Sequence, residues 1–148
     1  MKLTNNTIFI TGGTSGIGRA MAEKFHQLGN QVIISGRREA LLKEVIAASP
    51  GMDYVVLDVT RADSIHAAAQ SVLERYPALN VVINNAGIMP FDNAAGELDD
   101  AQAVTLLNTN ILGPVRVSAA FIEHLKQQPD AVLINNSSVL AFLPLATN

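Results

Sequence analysis

Residues 7–18 read Thr7-Ile8-Phe9-Ile10-Thr11-Gly12-Gly13-Thr14-Ser15-Gly16-Ile17-Gly18, and this stretch decides the fold. Ile8, Phe9 and Ile10 form a short apolar run, suited to a strand buried on both faces of a parallel sheet. Four of the eight residues after it are Gly, which permits a tight turn and close approach of backbone to a ligand. Past Gly16 the period becomes helical. Ile17, Met21, Phe25 and Leu28 form a stripe, and Gly29 supplies a stop. Strand, glycine turn and helix together make an anion site, because unpaired N–H groups and the positive dipole end face whatever lies above the turn. A glycine pattern alone is weak evidence; with a strand before it and a helix after it, the context is that of a dinucleotide fingerprint.

The same alternation continues outward. Val32-Ile33-Ile34, Tyr54-Val55-Val56-Leu57, Val81-Val82-Ile83 and Val132-Leu133-Ile134 read as four more buried strands. Between them lie a helix with Leu41, Leu42, Val45 and Ile46 on one face, and another with Ile65, Ala69, Val72 and Tyr76, ended by Pro77. Thr60 and Asp63 have capping-box spacing, which predicts a helix start at Thr60. A loop rich in Gly, Pro, Asn and Asp leads to Asp99-Asp100, then a long helix to about Lys126 that contains Gly113-Pro114. Near-continuous apolar strands alternating with helices predict an α/β fold: a Rossmann-like doubly wound parallel sheet, ending here after its fifth strand, with residues 1–148 as one NAD(P)-binding domain.

Composition narrows the function. At 148 residues and 49% hydrophobic content the chain can bury a sizeable core. A net charge of −3 argues against nucleic acid or an anionic membrane as partner. With no Cys, a disulfide framework and thiolate chemistry are excluded. No run is long enough to span a bilayer, and the apolar run near Met1 is too short for a signal peptide, so a cytoplasmic protein is expected. His26, His66 and His124 fall in three different helices without ligand spacing, and no metal site is expected.

At the end of the second strand, a carboxylate would bond the ribose 2′-OH of NAD, whereas Arg accommodates the 2′-phosphate of NADP. Between Gly18 and Arg38 the only carboxylate is Glu23, inside the first helix, and Arg37 and Arg38 occupy the strand end. NADP(H) is favoured, with NAD(H) as the alternative. Thr14 and Ser15 are hydroxyl donors toward a pyrophosphate or, equally, simple turn formers. Asp58 closes the third strand, as a ligand contact or a turn cap.

Thr11-Gly12-x-x-x-Gly16-x-Gly18 resembles the fingerprint of the short-chain dehydrogenase/reductase family, in its shorter branch. Asp58-Val59 and Asn85-Ala86-Gly87 match two further signatures of that family, and Asn5-Asn6-Thr7 with Asn84-Asn85-Ala86-Gly87-Ile88 is similar to its DltE-like members. The resemblance covers the whole chain. It implies that Asp58 and Val59 meet the adenine and that Asn85, Ala86 and Gly87 line the adenosine ribose and steady the sheet. It implies a small carbonyl or alcohol substrate, and a homo-oligomer built through the 101–126 helix. Val104, Leu107, Ile111, Val115, Phe121, Ile122 and Leu125 there are more apolar positions than one sheet-facing stripe needs.

The Pro114 ring clashes with the carbonyl four residues earlier, that of Asn110, so a kink is expected. The family's Asn-x-x-Gly motif falls on Asn110 rather than Asn108, which implies a main-chain carbonyl holding a water in a proton relay. Ser137 and Ser138 follow the fifth strand, and alternation would place them on opposite sides. The resemblance makes Ser138 the residue that holds the substrate oxygen. The family's Tyr-x-x-x-Lys pair does not occur after Ser138 in these residues. The leading expectation is therefore an oxidoreductase of which residues 1–148 alone bind cofactor at best. The alternative is a catalytically silent nucleotide-binding module. Leu143-Pro144-Leu145 reads as loop.

Overall fold

Five parallel strands carry the chain: β1 (Thr7–Thr11), β2 (Gln31–Gly36), β3 (Asp53–Val56), β4 (Val81–Asn84) and β5 (Val132–Asn135). The computed structural model describes residues 2–90, 96 and 99–138, so the expected loop at Leu143-Pro144-Leu145 lies outside the described residues. The sheet order is β3-β2-β1-β4-β5. The order reverses between β1 and β4, whose carboxyl ends therefore flank the crevice where ligands of open α/β sheets bind.

Helices cover both faces. α1 (Gly16–Gln27) and α2 (Glu39–Ala48) lie on one, while α3 (Ala62–Arg75) and α5 (Gly113–Leu125) lie on the other. Alternation sorts the strand residues accordingly: Ile8, Ile10, Val32, Ile34, Val81 and Ile83 meet Ala22, Leu42 and Val45. Phe9, Ile33 and Val82 meet Ile65, Val72, Val117 and Phe121, with the Phe9 and Phe121 rings 5.0 Å apart.

Three local expectations are corrected. The first helix does not bury Ile17, which is exposed at the sheet's carboxyl edge; Gly18 and Ala22 face the sheet instead. The reason is steric, since Gly18 lies so flush on the turn that a Cβ there would meet Gly12 O at 2.2 Å. Thr60 and Asp63 form no capping box. α3 starts at Ala62, Asp58 Oδ1 accepts from Thr60 N and Oγ1, and Ser64 Oγ accepts from Asp58 N. The short Asp side chain closes its own turn before Thr60 can cap anything.

The long helix is interrupted rather than simply kinked. α4 (Asp100–Leu107), capped by Asp99 on Gln102 N at 3.0 Å, gives way to a π turn over Asn108–Leu112, and α5 follows. Gly113 N reaches back five residues to Asn108 O. Pro114 has no N–H to offer Asn110 O, and one extra residue in the turn moves its ring to the start of α5, where proline is tolerated. Phe121 and Leu125 are buried and supply the sheet-facing stripe that the apolar surplus of this segment includes. Val104, Leu107, Ile111 and Val115 stay exposed, joined by Leu112.

Candidate functional site

The turn after β1 packs so closely against backbone that no side chain fits at Gly12 or Gly18. Gly12 has φ +73°, and a Cβ on it would meet Ala86 Cα at 2.9 Å. The side chain of Asn85 occupies the inside of this turn, donating from Nδ2 to Thr11 O at 3.1 Å and Gly12 O at 3.4 Å. Gly16, at φ +55°, faces open space at the start of α1. The N–H groups of the first turn of α1 open toward that space. Ser15 precedes the helix in extended conformation and makes no capping bond with its side chain.

A cleft of about 530 Å³ lies above the turn. Gly12, Thr14, Ser15, Gly16, Ile17 and Gly18 form its floor, Arg37 and Arg38 stand at the β2 end, and Asp58 and Val59 at the β3 end. Asn85, Ala86 and Gly87 close the β4 side. Thr11 does not border it. Its buried Oγ1 accepts from Asn85 N and Ala86 N, both at 3.0 Å, which ties β1 to the segment after β4.

Partial burial pushes the Asp58 pKa up, and the bonds from the Thr60 hydroxyl and N–H push it down. With Arg37 and Arg61 nearby, the carboxyl stays below its ordinary value. One oxygen, Oδ1, serves the turn while the residue still borders the cleft, so the cap and ligand-contact readings are not exclusive.

A second cleft, about 810 Å³, continues from the first; Ile17, Asn85, Ala86, Gly87, Ile88 and Asn136 border both. Asn110, Ser137 and Ser138 line it. β5 ends at Asn135, so strand alternation no longer governs the two serines, and both border the same cleft. The Asn110 side chain clamps the segment after β4, accepting from Ile88 N at 2.9 Å and donating to Ile88 O at 2.7 Å. Its place in the π turn leaves that side chain facing Ile88 and Gly87.

Sequence reasoning missed Asn136, Thr60 and Ile88 as lining residues. For Asn136 a signal existed: Asn-Asn occurs at 84–85 and again at 135–136, at the ends of neighbouring strands. No group of three His, Cys, Asp or Glu able to hold a metal occurs among the described residues, and no helix there is long and apolar enough to cross a membrane.

The comparison with known proteins agrees with this geometry. A family model described as short chain dehydrogenase matches residues 6–148. The chain belongs to that family.

Among its relatives is "Uncharacterized oxidoreductase DltE" of Bacillus subtilis (strain 168), 43% identical over 150 residues, covering 99% of this chain and 58% of that protein. A short-chain dehydrogenase from Streptomyces avermitilis superposes with a TM-score of 0.87 at 31% identity, over 97% of this chain and 53% of that one. The F189W actinorhodin polyketide ketoreductase, in a crystal structure with NADPH, gives 0.84 at 29% identity, over 96% and 57%. The chain thus spans somewhat over half the length of these proteins.

Proposed function

We propose that this short chain dehydrogenase is an NADP(H)-dependent oxidoreductase that moves hydride between nicotinamide and a carbonyl/alcohol substrate. One observation carries the reading: the two clefts form a continuous crevice along the strand ends. The glycine turn, Arg37, Arg38 and Asp58 stand at one end, and Asn110 and Ser138 at the other. A dinucleotide is an elongated ligand with an anionic middle, and the crevice fits it. The open space above Gly16 lies at the helix N-terminus, where a pyrophosphate is favoured.

On this reading the backbone from Gly12 to Gly18 holds the pyrophosphate, with Thr14 and Ser15 adding hydroxyls. Arg37 and Arg38 pair with a 2′-phosphate, Asp58 and Val59 border the adenine, and Asn85, Ala86 and Gly87 the adjoining ribose. The bound nicotinamide supplies or accepts the hydride. Ser138 hydrogen-bonds the substrate oxygen, and the main-chain carbonyl of Asn110 holds a water for proton transfer. The protein works in the cytoplasm as a homo-oligomer, joined through the exposed Val104, Leu107, Ile111 and Val115 of the 101–126 segment. The reductase named among the similar structures, bound to NADPH, favours this reading over a silent nucleotide-binding module. Calorimetric titration of the full-length protein with NADPH and NADH tests it. NADPH should bind more tightly, and failure of both to bind would refute the reading.

A further inference from the structure

The start of α5 is packed against the loop after β3. A Cβ on the buried Gly113 would meet Val59 Cβ and Cγ2 at 3.2 Å and Val59 O at 3.4 Å, so the helix approaches this loop as closely as a glycine allows. One turn later, Arg116 Nη1 donates to Thr60 O at 3.2 Å. Thr60 in turn donates through N and Oγ1 to Asp58 Oδ1, at 2.9 and 2.7 Å. Asp58, Val59 and Thr60 all border the first cleft, whereas Gly113 and Arg116 border neither. The π turn that leads directly into Gly113 holds the segment after β4 through Asn110 and Ile88. A single helical element therefore brackets the two walls of the crevice.

We propose that Gly113 and Arg116 are positioning residues for the loop at 58–60, and that they set the affinity for the adenosine half of the cofactor without touching it. The inference rests on the cofactor reading given above. A hydrogen bond made by a guanidinium to a loop carbonyl fixes that loop only while the bond is intact, and its loss lets the carboxylate and the Val59 wall drift. A methyl at 113 moves Val59 by the few tenths of an ångström that the contact demands. The same methyl favours the helix intrinsically, so affinity and stability respond to it differently.

The test is calorimetric titration of the full-length protein with 2′,5′-ADP, together with the thermal midpoint of the ligand-free protein, for the parent, Gly113→Ala, Arg116→Gln and Arg116→Lys. The expected result is about five- to tenfold weaker 2′,5′-ADP binding for Gly113→Ala and Arg116→Gln, with ligand-free midpoints close to the parent and partial recovery in Arg116→Lys. Unchanged 2′,5′-ADP affinity in Arg116→Gln, or a loss of affinity only in step with a lowered midpoint, overturns the proposal. A parent that binds neither 2′,5′-ADP nor NADPH overturns instead the cofactor reading on which it rests.

Discussion

Asn136 donates from Nδ2 to Asn85 Oδ1 at 2.8 Å, joining the segment after β5 to the segment after β4. One residue earlier the pairing repeats in the other sense, with Asn84 Nδ2 donating to Asn135 Oδ1 at 2.9 Å. Asn85 and Asn136 lie just past their strands, and the further partners of the two pairs show that they clasp the strand ends from opposite sides. On one side Asn84 also meets Ser118 Oγ at 3.0 Å on α5, and on the other Asn85 reaches into the glycine turn. Ser137 and Ser138 follow directly on this clasp in the chain and line the second cleft.

The two pairs differ in what they hold, and the variants should rank accordingly. Asn85→Ala removes the bonds to Thr11 O, Gly12 O and Asn136, and should cost about 2 kcal/mol in urea unfolding of the full-length protein. Asn136→Ala removes one exposed bond and should cost about 0.5–1 kcal/mol. Equal losses would show that the bonds inside the turn contribute little.

Two glycines of the fingerprint should separate folding from binding. A Cβ on Gly18 would sit 2.2 Å from Gly12 O and 2.4 Å from Asn85 Nδ2, so Gly18→Ala should destabilise the protein by about 3 kcal/mol or more. Gly16→Ala meets no atom within 4 Å and should cost only the left-handed strain of about 1–2 kcal/mol. Its methyl nevertheless enters the space expected to hold a pyrophosphate, so NADPH affinity should fall by more than stability does. Thermal unfolding and calorimetry on both variants check the contrast.

The β-α alternation and the glycine turn were legible because an apolar run, a glycine cluster and a helical stripe each report local physics. The apolar runs place Phe9, Ile33 and Val82 in strands, and in the fold they lie in core strands. The face of α1 was not legible, because Ile17 follows the apolar period while Gly18, with no side chain to register, is the residue that packs. The π turn was equally hidden: Pro114 signals trouble in a helix, but whether the chain kinks or inserts a residue depends on the contacts of Gly113 and Asn110. The burial of Phe121 and Leu125 was a similar tertiary choice between two apolar faces of one helix.

Tyr76 gives a pH prediction. Burial, and then its hydrogen bond to Asp53 at 2.7 Å, push the phenol pKa from 10.0 up to about 12. The folded state holds this proton more tightly than the unfolded chain. The contribution is thus fully present below pH 10 and is lost as pH rises from about 10 to about 12. Unfolding titrations across that window should show stability falling with pH in the parent and a shallower slope in Tyr76→Phe. Identical slopes would remove Tyr76 as the cause.

Exposed apolar residues on the segment from α4 into α5 give an assembly prediction. Leu107 and Ile111 are 53% and 55% exposed. If this stripe joins two copies, Ile111→Lys should convert an oligomeric full-length protein to monomer at micromolar concentration by light scattering. A parent already monomeric there, or an unchanged mass in the variant, contradicts the interface.

In the proposed reading, cofactor choice rests on Arg37 and Arg38. Arg37→Asp places a carboxylate beside Asp58 and in the path of a 2′-phosphate. NADPH should bind at least about tenfold more weakly, with NADH affected less. Equal affinity of the parent for the two nucleotides counts against the NADP(H) assignment.

The proposed reaction is tested most directly by the oxidation of NADPH by a panel of aldehydes and ketones, catalysed by full-length parent and Ser138→Ala. A parent that reduces members of the panel is expected, with turnover in Ser138→Ala lower by about a hundredfold and NADPH affinity within about twofold. A Ser138→Ala protein that turns over as fast as the parent, or a parent that binds NADPH yet reduces nothing in the panel, would contradict the account.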